Sequence, residues 1–326
     1  MNYSFHGLRL SSTIPLPELR RTGPSGDVAI DLGGPPDESP RDWFHTWPLN
    51  PRARGGRGRA WLSFARLSGG YLLRFHDLCD FEVRDGGRRI TCHPVCGLAA
   101  PTLRHLLIDQ VLPLVLSQRG RLVLHASAVH VDGVGTVAFA GRTGAGKSTL
   151  AAAIGRRTGC AVVTDDCLVI VPQSRNPHSR AAPSGALLVV PGYAGIRLWP
   201  DSARALRLAN GRDREVAHYT PKRRVGERLR FRTRPTRLRA LFVLGRRRPA
   251  GKPTSARRLR RRAAFLELAE FAYLMDIADR DQLSGMFRQL ATVVERVPVL
   301  RLSIRDGWRE MGRTAGEVLA LTPADS

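Results

Sequence analysis

Gly141-Arg-Thr-Gly-Ala-Gly-Lys-Ser-Thr149 decides the reading of this chain. Gly141, Gly146, Lys147 and Ser148 fit the P-loop pattern GxxxxGK[ST], in which backbone N–H groups of a glycine turn cradle a phosphate chain. The apolar run Thr136 to Ala140 before it predicts a strand, and Leu150 to Arg157 after it predicts a helix. The motif works in that context because a helix N-terminus adds positive potential at the anion. The candidate phosphate-binding residues are therefore Gly141, Arg142, Thr143, Gly144, Ala145, Gly146, Lys147, Ser148 and Thr149. Lys147 is expected to reach the terminal phosphates, and Ser148 to hold Mg2+.

The 326 residues leave room for two domains and a full-sized core, with 43% hydrophobic residues. The net charge of +24 comes from 52 Lys and Arg, of which only Lys147, Lys222 and Lys252 are lysines. So strong an arginine skew is in good part a G+C-rich coding bias, and the remainder suits an acidic, phosphorylated or nucleic-acid partner. Met1 to Leu10 lacks the basic start and apolar core of a secretory signal. No apolar run approaches the roughly 18 residues of a membrane span. The five cysteines show no disulfide-framework rhythm. Together these features predict a cytoplasmic protein. Cys92-His-Pro-Val-Cys96 lacks a second ligand pair and is not read as a zinc site.

Residues 1–95 read as a β-rich module, with strands at Val28 to Leu32 and Tyr71 to Phe75 and a hairpin around Asp85-Gly-Gly87. Gly33 to Arg59, rich in Pro, Gly and Arg, reads as a loop, and Ser68-Gly-Gly70 as a hairpin turn. Thr102 to Ser117 is expected to be a helix kinked by Pro113. Residues 96–326 form the second domain. Asp132-Gly133 predicts a two-residue turn between strands Arg121 to Val131 and Val134 to Ala140, which sets His125 opposite Ala140. Ala161 to Thr164 reads as a strand ending in Asp165-Asp166. Residues 173–186 read as a loop, and the basic, poorly periodic Arg204 to Arg234 as a partly mobile one. Leu241 to Leu244 is a strand. Ala263 to Met275, Asp281 to Val294 and Thr314 to Leu321 are helices, and Val299 to Leu302 is a last strand.

Asp165 follows Lys147 by eighteen residues, so both carboxylates at the end of that strand are expected to face the phosphates. A carboxylate there can hold Mg2+ or take a proton from an attacking hydroxyl. The plainer readings are an Asp-Asp turn or a helix cap, and for His125 a strand histidine.

His125-Ala-Ser-Ala-Val129, the glycine motif and Thr164-Asp-Asp166 resemble, in order and spacing, the HPr kinase/phosphorylase family. Tyr3 to Leu19, Leu107 to Pro113 and Arg197-Leu-Trp-Pro-Asp201 are similar to its shorter members encoded beside peptide natural-product genes, including lasso-peptide clusters. The resemblance implies an α/β P-loop kinase domain of the HPr kinase / PEP carboxykinase-like type behind the N-terminal β-rich module. It implies ATP and Mg2+ as cofactors, with Lys147 on the phosphates. It makes Asp165 the general base, Asp166 a metal ligand with Ser148, and His125 a neighbour of the reacting phosphate or the catalytic carboxylate. The acceptor it implies is a peptide or protein serine, on a precursor peptide or an HPr-like protein, and a homo-oligomer is compatible with it. Pro191-Gly-Tyr-Ala-Gly-Ile-Arg197 lacks the glutamate that bifunctional members carry there, which leaves the remaining metal ligands and the reverse phosphorylase reaction open. Lys222-Arg-Arg224 reads as a phosphate clamp or as a solvated charge run.

Two other readings compete. A nucleotide-dependent nucleic-acid-binding protein would use the charge, but aromatics are only 6% and no helix-turn-helix or RNA-binding signature is visible. A small-molecule kinase on the same scaffold differs only in its acceptor loops.

Overall fold

In the computed structural model the strand before the glycine motif runs Gly135–Ala140 and the helix after it Lys147–Gly155. The structure describes residues 1–326 apart from 25, 37–39, 41, 49–59, 174–184, 211–212, 246, 250–251, 306, 308–309 and 324–326. The protein is mixed α/β and divides into two units, 1–119 with 217–219, and 120–216 with 220–326.

The first unit is built on a nine-stranded sheet. Its order is Arg20–Arg21, Asn2–Phe5, Leu8–Ser12, Val28–Leu32, Arg89–Pro94, Cys79–Arg84, Gly70–Phe75, Ala60–Leu67, Trp43–Pro48. Leu8–Ser12 alternates buried and exposed residues, as a strand with one covered face must. The turn at Ser68 is tight because a side chain at Gly70 would meet the Val83 carbonyl at 2.2 Å. Trp43–Pro48 corrects the expected loop over Gly33 to Arg59. Its β-forming Trp, Phe and Thr were hidden by flanks rich in Gly, Pro and Arg. The rest of that loop falls largely outside the described residues.

The expected 102–117 helix is Ala100–Leu106, a π-turn Leu107–Val111, and Leu112–Gln118. Leu103, Leu106, Leu107, Val111, Leu114 and Val115 are all buried. Pro113 lacks an N–H, and its ring crowds the carbonyl one turn back, which suits the wider turn that precedes it.

The second unit is layered. Its main sheet runs in the order Leu122–Leu124, Leu168–Pro172, Leu187–Val190, Thr236–Leu244, Gly135–Ala140, Ala126–Val131, Cys160–Thr164. Gly135–Ala140 and Val299–Ser303 both lie parallel to Thr236–Leu244. Parallel strands need cover on both faces, and the residue alternation supplies it. Val137 and Phe139 pack with Leu150 and Ile154 of Lys147–Gly155 and with Val318 of the helix Met311–Ala320. Ala138 and Ala140 face Leu268 and Leu290, from the helices Arg261–Ala269 and Arg280–Arg296. Phe139 stacks on Phe242 at 5.8 Å between ring centroids.

A third sheet holds Ile196–Leu198, Thr220–Val225 and Arg214–Ala217. Together with the helix Pro200–Ala205, it corrects the reading of Arg204 to Arg234 as a loop. Residues 174–184 of the expected 173–186 loop lie outside the described residues. Among the described residues, no helix is long and apolar enough to cross a membrane.

One partly buried ion pair at the C-terminal helix ties stability to pH. The Arg305 side chain is 5% exposed; its Nη2 donates to Glu317 Oε1 at 2.7 Å, and Thr254 N donates to Glu317 Oε2 at 3.0 Å. Hydrogen bonding from Thr254, against the opposing effect of burial, and then Arg305 bring the Glu317 carboxyl from 4.5 down to about 2. A depressed folded-state value gives stability that is present above 4.5 and lost as pH falls toward 2. Glu317→Gln is therefore expected to melt below the parent at neutral pH, with the gap closing across that window. A gap independent of pH in thermal melts would refute the assignment.

Candidate functional site

His125 is not where the predicted turn put it. The loop is one residue longer, so Val131 pairs with Gly135 and Ala126, not His125, pairs with Ala140. A one-residue slip reverses the faces of every side chain along the strand. His125 falls instead at a joint, because the expected single strand from Arg121 to Val131 is two strands. Leu122–Leu124 pairs with Leu168–Pro172, and Ala126–Val131 pairs with Gly135–Ala140 and Cys160–Thr164. The joint is held from outside the sheet: His125 N donates to the Phe271 carbonyl at 2.7 Å.

Asp165 and Asp166 follow Cys160–Thr164 directly. Cys167 N donates to the Asp165 carbonyl at 2.8 Å, closing a tight turn with Asp166 in the left-handed region at φ +58°. An aspartate tolerates that conformation better than most residues. The turn points neighbouring carboxylates in different directions. Asp165 is interior, its side chain 1% exposed. Its Oδ1 accepts from Ser127 Oγ at 2.8 Å and its Oδ2 from Arg197 N at 2.8 Å, and the Ser148 side chain stands near enough to lower its carboxyl slightly. Asp166 is 13% exposed, with Oδ2 accepting from Arg197 Nη2 at 2.6 Å and Oδ1 3.8 Å from His125 Nε2.

The electrostatics separate the two carboxyls. Burial pushes both upward. Asp165 is raised further by the negative charge of Asp166. In Asp166 burial is the largest single influence, but Arg197 and then His125, Lys222 and Lys147 together overcome it and hold the carboxyl well below its usual range. Burial brings the His125 imidazole down to about 4 against the pull of Asp166, and Lys147, Arg197 and Lys222 act in the same direction as burial. The imidazole is therefore neutral at physiological pH. Burial also lowers Lys147, against Asp166 and Asp165.

The glycine turn leads from Gly135–Ala140 into Lys147–Gly155. Gly144 and Gly146 take φ of +82° and +103°, and the helix starts at Lys147 with no side-chain cap. Lys147 Nζ folds back on the turn, donating to the carbonyls of Gly141 at 2.8 Å and Arg142 at 3.3 Å. Lys222 lies with its Nζ 5.7 Å from the centre of the Trp199 ring.

The structure thus brings together His125, Lys147, Ser148, Asp165 and Asp166, with Lys222 beside them. It does not bring in the side chains of Arg142 and Thr149. Arg142 is 87% exposed, and Thr149 Oγ1 donates to Ser202 Oγ at 3.2 Å. Arg224 lies over the Tyr193 ring. Sequence reasoning gave no role to Ser127, Arg197, Trp199 or Tyr273. Ser127 and Arg197 sat inside the quoted motifs; Tyr273 carried no local signal.

The residues present fit a magnesium–triphosphate. An uncapped helix N-terminus follows a left-handed glycine turn, with open space where a Gly144 side chain would stand and a lysine and a hydroxyl beside it. Among the described residues no three His, Cys, Asp or Glu converge as a complete metal cage. Mg2+ needs none, since it usually keeps waters and phosphate oxygens as ligands.

No family model matches the sequence, and no curated protein matches it. Among solved structures, the fold is similar to the HPr(Ser) kinase/phosphatase from Coxiella burnetii, with 13% sequence identity over 61% of this chain and 95% of that one, at a TM-score of 0.31. At that identity and score the likeness is too loose to transfer any residue's role.

Removing the guanidinium would leave Asp166 without its ion-pair partner, next to a second buried carboxyl that keeps Ser127 and the Arg197 backbone N–H. Arg197→Met is expected to cost about 3–5 kcal/mol of stability, and Asp166→Asn in the same chain to recover part of it, as read by urea denaturation. An Arg197→Met protein as stable as its parent would mean that the carboxyls are satisfied without it.

Proposed function

We propose that this protein is an ATP-dependent kinase that phosphorylates a serine hydroxyl on a peptide or protein. What carries the reading is one convergence. The end of the Gly135–Ala140 strand delivers the uncapped glycine turn with Lys147 and Ser148 to the same place as the Asp165–Asp166 turn and His125. The peptide or protein acceptor, including a natural-product precursor, is supported by the sequence resemblance.

ATP bound with Mg2+ supplies the transferable phosphoryl group. The backbone N–H groups of 141–149 hold phosphate oxygens, and Lys147 exchanges its carbonyl partners for them. Ser148 takes the metal. Asp165, buried and close to Ser148, orients that hydroxyl and does not meet the acceptor. Asp166 is the more exposed carboxylate, with Oδ1 turned toward His125, so it takes the proton of the acceptor hydroxyl as the new O–P bond forms and the bond to the leaving diphosphate breaks. Arg197 holds Asp166 in place through Oδ2. Lys222, braced on Trp199, offsets charge on the moving group. This division exchanges the roles that the sequence resemblance gave Asp165 and Asp166. The exposure and partners of each carboxylate support the exchange; its cost is a weaker base, since the cations around Asp166 lower its carboxyl while Asp165 is raised.

The test is transfer from ATP and Mg2+ to the precursor peptide encoded nearest the gene and, in parallel, to an HPr protein, read by the phosphate-mass gain on serine. Asp166→Asn is expected to lower kcat by about 10²- to 10⁴-fold while nucleotide affinity holds. Asp165→Asn is expected to weaken the magnesium dependence of nucleotide binding. The opposite pattern would restore the sequence-based assignment. Binding of ATP with no transfer to either acceptor would sink the kinase reading.

A further inference from the structure

We infer that Tyr273 fixes the tautomer of His125, so that the imidazole offers a bare Nε2 to the acceptor hydroxyl. The inference rests on the kinase reading above. Its geometry comes from backbone pairing. Beyond the Arg261–Ala269 helix, residues 271–273 run beside 123–125: His125 N donates to the Phe271 carbonyl at 2.7 Å, and Tyr273 N donates to the Val123 carbonyl at 2.9 Å. Leu124 and Ala272 are bridge partners between them. Anchored on both sides of the joint, the two rings lie 6.1 Å apart between centroids, tilted by 58°.

Tyr273 Oη lies 3.2 Å from His125 Nδ1 and 3.5 Å from the Asp166 carbonyl oxygen. A carbonyl oxygen can only accept. A phenol proton directed to it leaves the Tyr273 oxygen accepting, so Nδ1 must carry the imidazole proton. In a neutral imidazole the other nitrogen then has only a lone pair, because the bond at one nitrogen sets the state of the other. That nitrogen, Nε2, stands 3.8 Å from Asp166 Oδ1, too far for a direct hydrogen bond. Two acceptors thus face one space, across which the single proton of an incoming O–H can be shared in a three-centre bond before it passes to Asp166. The space is reachable, since the His125 side chain is 30% exposed. The other tautomer would aim Nε2–H at Asp166 and occupy the carboxylate that the hydroxyl needs. Tyr273 acts through His125 and is a positioning residue.

The test uses the full chain labelled with 15N-histidine, without nucleotide and near neutral pH, with the His125 signals assigned by their loss in His125→Gln. The wild-type spectrum is expected to show Nδ1 protonated and Nε2 bare. In Tyr273→Phe the proton is expected to move toward Nε2. Its kcat for whichever acceptor the transfer assay identifies should fall by at least about tenfold, with KM for ATP unchanged. A wild-type imidazole protonated at Nε2 overturns the inference. So does a Tyr273→Phe protein that keeps both tautomer and kcat. If that variant does not fold, the wild-type spectrum decides alone. A protein that transfers no phosphate would overturn the kinase reading, while the spectrum would still decide the role of Tyr273.

Discussion

The site depends on one buried guanidinium. Arg197 is 3% exposed and addresses both neighbouring aspartates at once, its backbone N–H to Asp165 and its Nη2 to Asp166. Two adjacent carboxylates in a dry interior repel each other and lose their hydration, so without the cation at least one would have to take up a proton. The contact also ties the short strand Ile196–Leu198 to the end of Cys160–Thr164, so the third sheet and the main sheet share one anchor. From this anchor follow the left-handed turn at Asp166, the divergence of the carboxylates and their unequal exposure. Chemically equivalent neighbours become different groups because one is enclosed by donors and the other keeps an open oxygen.

The layers of the second unit were legible because each element carries its own period. The apolar run before the glycines, the amphipathic spacing of Arg280–Arg296 and the short apolar strands state their structure locally. Register was less so. Asp132-Gly133 signals a turn, but whether two or three residues close it depends on tertiary packing, and that one residue moved His125 from a paired position to a joint. Trp43–Pro48 and Thr220–Val225 were hidden because arginine, proline and glycine nearby suppress any strand signal, while their pairing partners lie elsewhere in the chain. Tyr273 was beyond reach for the same reason. It meets His125 across 148 positions, through a backbone pairing that no local pattern encodes.

The arginine excess looks different once its partners are visible. Several arginines are structural: Arg197 on the aspartates, Arg305 on Glu317, and Arg74 bidentate on Asp80. The lysines are few, and two of the three stand at the site. Lys147, Lys222 and Arg197 oppose two carboxylates there, so with a neutral imidazole the cluster keeps an excess positive charge, as a site for a phosphate chain requires. Ion pairs with the 28 acidic residues leave the net +24 in place, so the site holds only a small part of the charge that composition shows.

That excess bears on why a tyrosine, and not a carboxylate, stands behind His125. An acid at Nδ1 orients an imidazole equally well, but it also stabilises the imidazolium and favours a histidine that carries the proton itself. Next to Lys147, Arg197 and Lys222, an imidazolium would compete with those cations and add charge where the moving proton must arrive. A phenol orients the ring without adding charge, and burial then keeps the imidazole neutral. In the proposed reaction Asp166 takes the proton through position and not through basicity, because Arg197 and its neighbouring cations lower its carboxyl below the His125 imidazole. Orientation of the hydroxyl and acceptance of its proton, which a single histidine often combines, are here divided between two side chains 3.8 Å apart.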